Sequence, residues 1–230
     1  VRHDTFSEYE NKTTGKLGLS YKFSPEISAY INAGTAYRAP SFSDIIWKVI
    51  GVDLKPETIH SYNIGINFHT LHVNAFYNKI EDKIAMDNSY KNYNSEGTST
   101  FKGIEISLEQ AIAKDWLMGA SYTYTDALDG EDKRAIRVPR YQASANITYV
   151  PTKNLRLTAL GNYIGPRKES KTSTVDTGRY FLAHFKADYA IDKTWNIYGK
   201  VNNLLDRDYQ EVDGYATLGR TFYLGMKATF

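Results

Sequence analysis

The chain has 230 residues, 42% of them hydrophobic and 23% charged, and no window approaches the roughly eighteen consecutive apolar residues that a spanning helix needs. Aromatics at 14% exclude a chain that stays disordered, and 28 basic against 26 acidic residues give no electrostatic case for nucleic acid. Cysteine is absent, which removes disulfides, thiolate nucleophiles and cysteine-bound zinc.

Hydrophobic alternation with a period of two recurs along the chain, and no stretch sustains a period of 3.6. In chain order it predicts about twelve strands, near 1–8, 16–23, 27–38, 57–68, 71–84, 99–110, 116–126, 139–150, 155–165, 179–190, 195–206 and 219–230. Tyr62, Ile64, Ile66 and Phe68 alternate with Asn63, Gly65 and Asn67. Phe181, Ala183, Phe185 and Ala187 alternate with Leu182, His184, Lys186 and Asp188. Phe222, Leu224, Met226, Ala228 and Phe230 alternate with Tyr223, Gly225, Lys227 and Thr229. Most of these strands run to about ten residues or more, enough for a tilted strand to cross a bilayer, whereas strands of soluble sheets average about five or six. Helix can only decorate a loop.

The links sort by length. Ser24 to Glu26, His69-Thr70, Ala113 to Asp115, Pro151 to Asn154 and Ile191 to Lys193 are tight; between them fall long links near 39–56, 86–98, 127–138, 166–178 and 207–218. Such alternation is expected of a membrane barrel, whose short turns face the periplasm and long loops the exterior. The polar rows carry Glu105, Glu109, Lys186, Asp188 and Lys200, charges that a narrow dry core could not hydrate. The fold class is therefore all-β, an antiparallel transmembrane β-barrel, with Phe181, Phe185, Leu224 and Met226 toward lipid and His184, Lys186, Lys200 and Lys227 toward the lumen. Phe230 ends the outward row as a terminal aromatic.

Short motifs add a resemblance. Tyr37-Arg38-Ala39-Pro40 and Leu54-Lys55-Pro56-Glu57 flank one long link; Lys102-Gly103-Ile104-Glu105 lies in a strand; Asn203-Leu204-Leu205-Asp206-Arg207-Asp208-Tyr209 precedes Gly219-Arg220. In this order the set resembles TonB-dependent outer-membrane receptors, and the closing segment from Lys200 looks most like their cobalamin-receptor branch. Such receptors have a barrel of about 22 strands around a plug. The resemblance implies that residues 1–230 are the C-terminal part of such a barrel, without the plug and earlier strands. It also implies residence in the bacterial outer membrane, with the lipid bilayer, the N-terminal half of the receptor and, through the plug, the TonB energising protein as partners. The implied function is energised uptake of a scarce bulky nutrient, a cobalamin-type corrinoid or a ferric siderophore. The alternative is a free-standing passive porin or translocator barrel of about twelve strands.

Candidate substrate contacts lie in the long links. Arg137 lines up with a substrate-contacting Arg of cobalamin receptors, or is a solvated charge in the run Lys133-Arg134-Ala135-Ile136-Arg137. Arg167 is a second basic candidate. Tyr90 and Tyr93, among Asn88, Asn92 and Asn94, suit adaptable polar contacts or simple loop packing. Thr172 stands where the cobalamin branch places a contacting Tyr. No cofactor, metal or catalytic residue is expected. His69 and His72 flank a turn with no carboxylate or Cys at ligand spacing; Asp126, Asp129, Glu131 and Asp132 lack an EF-hand spacing; His184 has no serine placed beside it. The stretch from Ser41 to Asp53 holds no His, which disfavours haem.

Overall fold

The computed structural model describes every residue except 8, 88, 171–174 and 230. In chain order its elements are β1 (Arg2–Asp4), β2 (Lys12–Thr14), β3 (Lys16–Lys22), β4 (Ile27–Arg38), α1 (Phe42–Ile46), β5 (Glu57–Phe68), β6 (Leu71–Glu81), β7 (Ile84–Met86), β8 (Asn92–Asn94) and β9 (Thr98–Ala113). There follow β10 (Trp116–Leu128), β11 (Tyr141–Thr152), β12 (Leu155–Ile164), β13 (Arg167–Lys168), β14 (Asp176–Thr177), β15 (Tyr180–Ala190), β16 (Trp195–Asn202) and β17 (Thr221–Ala228). Eleven strands, β3–β6, β9–β12 and β15–β17, form one sheet hydrogen-bonded in chain order, with β3 and β17 as its edges. Eight of the eleven have ten residues or more.

By contacts the chain divides into two compact units, Val1–Phe68, Val73–Ile104 and Thr125–Ala135 in the first, His69–His72, Glu105–Tyr124 and Ile136–Phe230 in the second. In the first, the antiparallel ladders of β3, β4 and β5 set Leu19 opposite Ile31 and Ile31 opposite Ile64. These three side chains form a continuous exposed apolar row. On the other face Tyr30 lies opposite Gly65 and its hydroxyl donates to Asn74 Oδ1 at 3.1 Å. A Cβ at residue 65 would collide with the Tyr30 ring, so the glycine makes room for a cross-strand aromatic.

In the second unit β10, β11, β12, β15, β16 and β17 repeat the pattern. Leu224 is 87% exposed and Phe181 48%, with Phe185 and Met226 also exposed. On the other row Lys186 pairs with Asp188 at 2.7 Å and lies over the Tyr198 ring. Among the described residues the buried apolar side chains are few and small in the main: Pro40, Leu54, Pro56, Ala127, Ala135 and Tyr180. A conventional core is thus missing, and the large apolar side chains stand outward on the strands, as a lipid-facing sheet requires.

Two of the tight links use left-handed backbone. His69 (φ 50°) and Asp115 (φ 65°) supply it in the two-residue turns 69–70 and 114–115. The long links carry the small elements. Ser41 caps α1, its hydroxyl accepting from Asp44 N while the Asp44 carboxylate accepts from Ser41 N.

Three of the expected strands change most. Of the first expected strand, 1–8, whose residue 8 lies outside the described residues, Arg2–Asp4 form β1, which pairs with β2 in a separate hairpin rather than joining the large sheet. Its apolar residues Val1 and Phe6 fall on opposite parities, so it offers lipid no continuous row. The strand expected over 71–84 ends at Glu81, and Ile84–Met86 turns back on β8 within the long link. The strand expected over 195–206 stops at Asn202, because the Asn203 side chain bonds both the N–H and the carbonyl of Arg207 and closes a turn. Phe230 lies outside the described residues.

Candidate functional site

Two polar networks organise the long links. In the first unit Arg38 and Glu57 are register partners at the open ends of β4 and β5. The Arg38 guanidinium grips the Glu57 carboxylate through Nε and Nη2, both at 3.0 Å, and reaches Asp44 through Nη1 at 2.9 Å. Glu57, only 7% exposed, also accepts from Ile84 N at 2.8 Å. The Arg38–Glu57 pair thereby ties α1, the β4–β5 ends and the start of β7. Burial pushes the Asp44 carboxyl up, but hydrogen bonds from Ser41 and the charge of Arg38 outweigh it and hold the group below the ordinary Asp range.

Two asparagines extend this network. Asn92 donates its backbone N–H to the Trp47 carbonyl at 2.7 Å, and Lys91 Nζ lies 5.1 Å from the centre of the Trp47 ring. Asn94 accepts from Lys55 N and donates to the carbonyls of Lys55 and Asp82. Tyr93 lies between them on β8, opposite Ala85. Tyr90 stands outward, 75% exposed, at a left-handed turn with φ 60°.

In the second unit Arg137 donates from Nε to Glu169 Oε1 at 2.8 Å and places Nη2 2.7 Å from the same oxygen. The Thr177 hydroxyl donates to Glu169 Oε2 at 3.2 Å. Glu169 is only 8% exposed. Burial pushes its carboxyl up, but Arg137, the Asp213 N–H and Thr177 prevail and keep it below the ordinary Glu range. Arg137 has φ 58°, a region that costs a non-glycine residue free energy. Its own N–H donates to the Lys168 carbonyl at 2.7 Å, which helps hold that conformation.

Arg167 joins the same cluster. It donates from Nε to Thr177 Oγ1 at 3.3 Å and from Nη2 to the Glu211 carbonyl. Beside it Tyr180 and Tyr209 pack with ring centres 4.7 Å apart. Of the expected contacts, Arg137 and Arg167 are thus brought together through Thr177 and Glu169; Tyr90 and Tyr93 belong to the first unit; Thr172 lies outside the described residues. Asn88, in the same link as Tyr90, lies outside them too.

The acidic link takes another form. Asp129 Oδ1 accepts from Glu131 N and Lys133 N, both at 3.0 Å, and Glu131 pairs with Lys133 at 2.8 Å. Among the described residues no three His, Asp or Glu side chains converge to hold a metal ion. Asn203 N donates to His184 Nδ1 at 3.4 Å. Residue-by-residue reading overlooked Glu57 and Glu169. Glu57 carried a signal, since it ends one flanking motif and Arg38 lies in the other. Glu169, in the run Arg167-Lys168-Glu169-Ser170, carried none.

Long strands in a meander, outward apolar rows and loop networks at the link-bearing ends define a β-barrel protein of the outer-membrane kind. Residues 1–204 match the family described as TonB dependent receptor-like, beta-barrel. The chain belongs to this family of bacterial outer-membrane proteins. Curated relatives include the Vitamin B12 transporter BtuB of Photobacterium profundum, 28% identical over 237 residues, covering 97% of this chain and 39% of that protein. The BtuB of Vibrio vulnificus is 28% identical over 243 residues, covering 98% and 37%. The chain therefore spans about two fifths of the length of the curated relatives it matches. Among solved structures, a variant of the ferric enterobactin receptor PfeA of Pseudomonas aeruginosa aligns with a TM-score of 0.81 at 18% identity, over 97% of this chain and 41% of its own. The copper transporter OprC aligns with a TM-score of 0.83 at 16% identity, over 96% and 40%. These structural likenesses concern the fold.

Proposed function

We propose that residues 1–230 are the C-terminal barrel portion of an outer-membrane receptor that captures a scarce bulky nutrient and imports it by an energised mechanism. Family membership supports the receptor class, and the BtuB relatives favour a corrinoid over a ferric siderophore as substrate. The observation that carries the local reading is the cluster of Arg137 and Arg167 around Glu169 and Thr177, with Tyr180 and Tyr209 beside it. Guanidiniums fixed on tied loops, with the part-exposed Tyr209 ring backed by the buried Tyr180, suit a large ligand rich in amide, carboxylate or phosphate oxygens. Tyr90, Tyr93 and Thr172 are secondary contacts in this reading.

The remaining strands and the plug come from the N-terminal half of the receptor, on the same chain or a separate one, and TonB acts through that plug. Support comes from the β3 and β17 edges, each hydrogen-bonded on one side only. An open edge in lipid leaves backbone groups unsatisfied at several kcal/mol each, which favours further strands covering both. The same edges speak against a self-closed passive barrel. No catalytic role is assigned.

The test is equilibrium binding to the assembled receptor in outer-membrane vesicles, comparing cyanocobalamin with ferric catechol siderophores, together with uptake into cells. Saturable binding of one class, and uptake abolished by collapse of the proton-motive force, is the expected result. Non-saturable permeation that ignores the proton-motive force would overturn the reading in favour of a porin.

A further inference from the structure

On β12, β15, β16 and β17, the face opposite the exposed apolar row holds a recess of about 360 Å³, roofed by part of the segment 203–220. Register places its walls side by side: Asn162 opposite Leu182, Leu160 opposite His184, Lys200 opposite Tyr223 and Asn202 opposite Thr221. Its polar lining includes Asn162, His184, Lys200, Asn202, Tyr209 and Tyr223, with Thr221 and the turn at Asn203 at its edge. Among the described residues, no carboxylate lines it.

The charges on this wall do not balance. Lys186 stands directly opposite Lys200, an unfavourable like-charge pair across a ladder. Lys186 has Asp188 at 2.7 Å as its partner. Among the described residues, Lys200 meets only the Tyr223 ring, with Nζ 5.7 Å from the ring centre. The ammonium therefore keeps three donors available and lacks a counter-charge. His184 accepts from Asn203 N at Nδ1, which leaves Nε2 to carry the ring proton as a further donor. Among the described residues, no side-chain hydrogen bond engages the Asn162 or Asn202 amides or the Tyr209 or Tyr223 hydroxyls.

A recess that concentrates donors and one unpaired cation, with no acid in its lining, is complementary to an anion. We propose that it binds a carboxylate or phosphate group, with Lys200 as the counter-charge and His184 and the tyrosine hydroxyls as orienting donors. The group comes either from a solute in the lumen or from an acidic side chain of the polypeptide that fills it. The inference rests on the two faces of the barrel wall and is independent of which nutrient the receptor carries.

The test is residue-resolved acetylation of the assembled receptor in detergent, read by peptide mass spectrometry, with Lys227 as the same-face control outside the recess. With inorganic phosphate replacing chloride at constant ionic strength, phosphate at twice its dissociation constant should slow Lys200 about threefold and leave Lys227 unchanged. His184→Ala should reduce that protection. If an acidic side chain already fills the recess, Lys200 is slow without phosphate and speeds up about threefold in 1 M NaCl, where the screening length is about 3 Å, while Lys227 does not. Either pattern supports the anion site and separates its two sources. Lys200 and Lys227 responding alike to phosphate and to salt would overturn it, whatever the substrate screen shows.

Discussion

Arg38 with Glu57, and Arg137 with Glu169, are the same chemical device built in two ways: a guanidinium on a buried glutamate at the base of long links. Arg38 and Glu57 are register partners on adjacent strands, so the β4–β5 ladder delivers one to the other. Arg137 and Glu169 are 32 residues apart in two separate links, and neither sits on a ladder rung that would align them. There the backbone bends to make the contact, with Arg137 at φ 58° and its N–H on the Lys168 carbonyl. A ladder-delivered pair closes the mouth of one loop. A loop-delivered pair ties separate loops together, and this is the arrangement that a ligand could tighten or loosen.

The largest effect should come from the ladder-delivered pair. Glu57→Ala leaves two Arg38 donors and the Ile84 N–H without their acceptor, at about 2–4 kcal/mol of stability in urea unfolding from lipid vesicles. Glu57→Gln should recover part of this, since its amide oxygen still accepts from Ile84 N. A loss below about 1 kcal/mol would mean that register alone closes the loop.

Next comes the loop-delivered pair. Arg137→Ala should weaken substrate binding by about 1–3 kcal/mol with unfolding of the barrel unchanged. Glu169→Gln sharpens the comparison. A smaller binding loss than Arg137→Ala is expected if the guanidinium touches substrate, whereas equal losses would make Arg137 a positioning residue that acts by tying the loops.

Acid should loosen both networks over one window. Asp44 and Glu169 titrate below their ordinary ranges when folded, so their contributions are complete above the unfolded values near pH 4 and are lost as pH falls further. Hydrogen exchange in the links around Asp44 and Glu169, corrected for intrinsic rates, should stay level from pH 8 to about pH 5 and rise below about pH 4. A rise centred near pH 6 would point to a histidine instead.

The smallest effect is reserved for Lys133→Ala. Its partner Glu131 is two residues away and both side chains are at least half exposed. Binding and stability should stay within about ±0.5 kcal/mol. A loss matching that of Arg137→Ala would reduce both residues to nonspecific loop charge.

Strand identity and face were legible in the residues themselves, because a two-residue period is local. Leu224 and Met226 alternate with Tyr223 and Lys227 whatever the neighbouring strands do. The sorting of links into tight and long was equally local, since His69 and Asp115 turn the chain within two residues. The pairing of Arg38 with Glu57 could have been inferred from the two motifs once β4 and β5 were taken as neighbours. The pairing of Arg2–Asp4 could not, because a short run without a continuous apolar row pairs wherever a hairpin is available, and here that is β2.

What only the tertiary structure decided are contacts between links that no period connects. Nothing in Arg167-Lys168-Glu169 marks Glu169 as the buried anchor of Arg137; that follows from the β13–β14 hairpin bringing Thr177 to the same carboxylate. Nor does the row His184, Lys186, Lys200 reveal that Lys186 has an acid beside it while Lys200 faces a recess without one. The sequence by itself determined the alternation, because side-chain parity along a strand is geometric. The counter-charge of each polar side chain depends on register and loop closure, which exist only once distant segments meet.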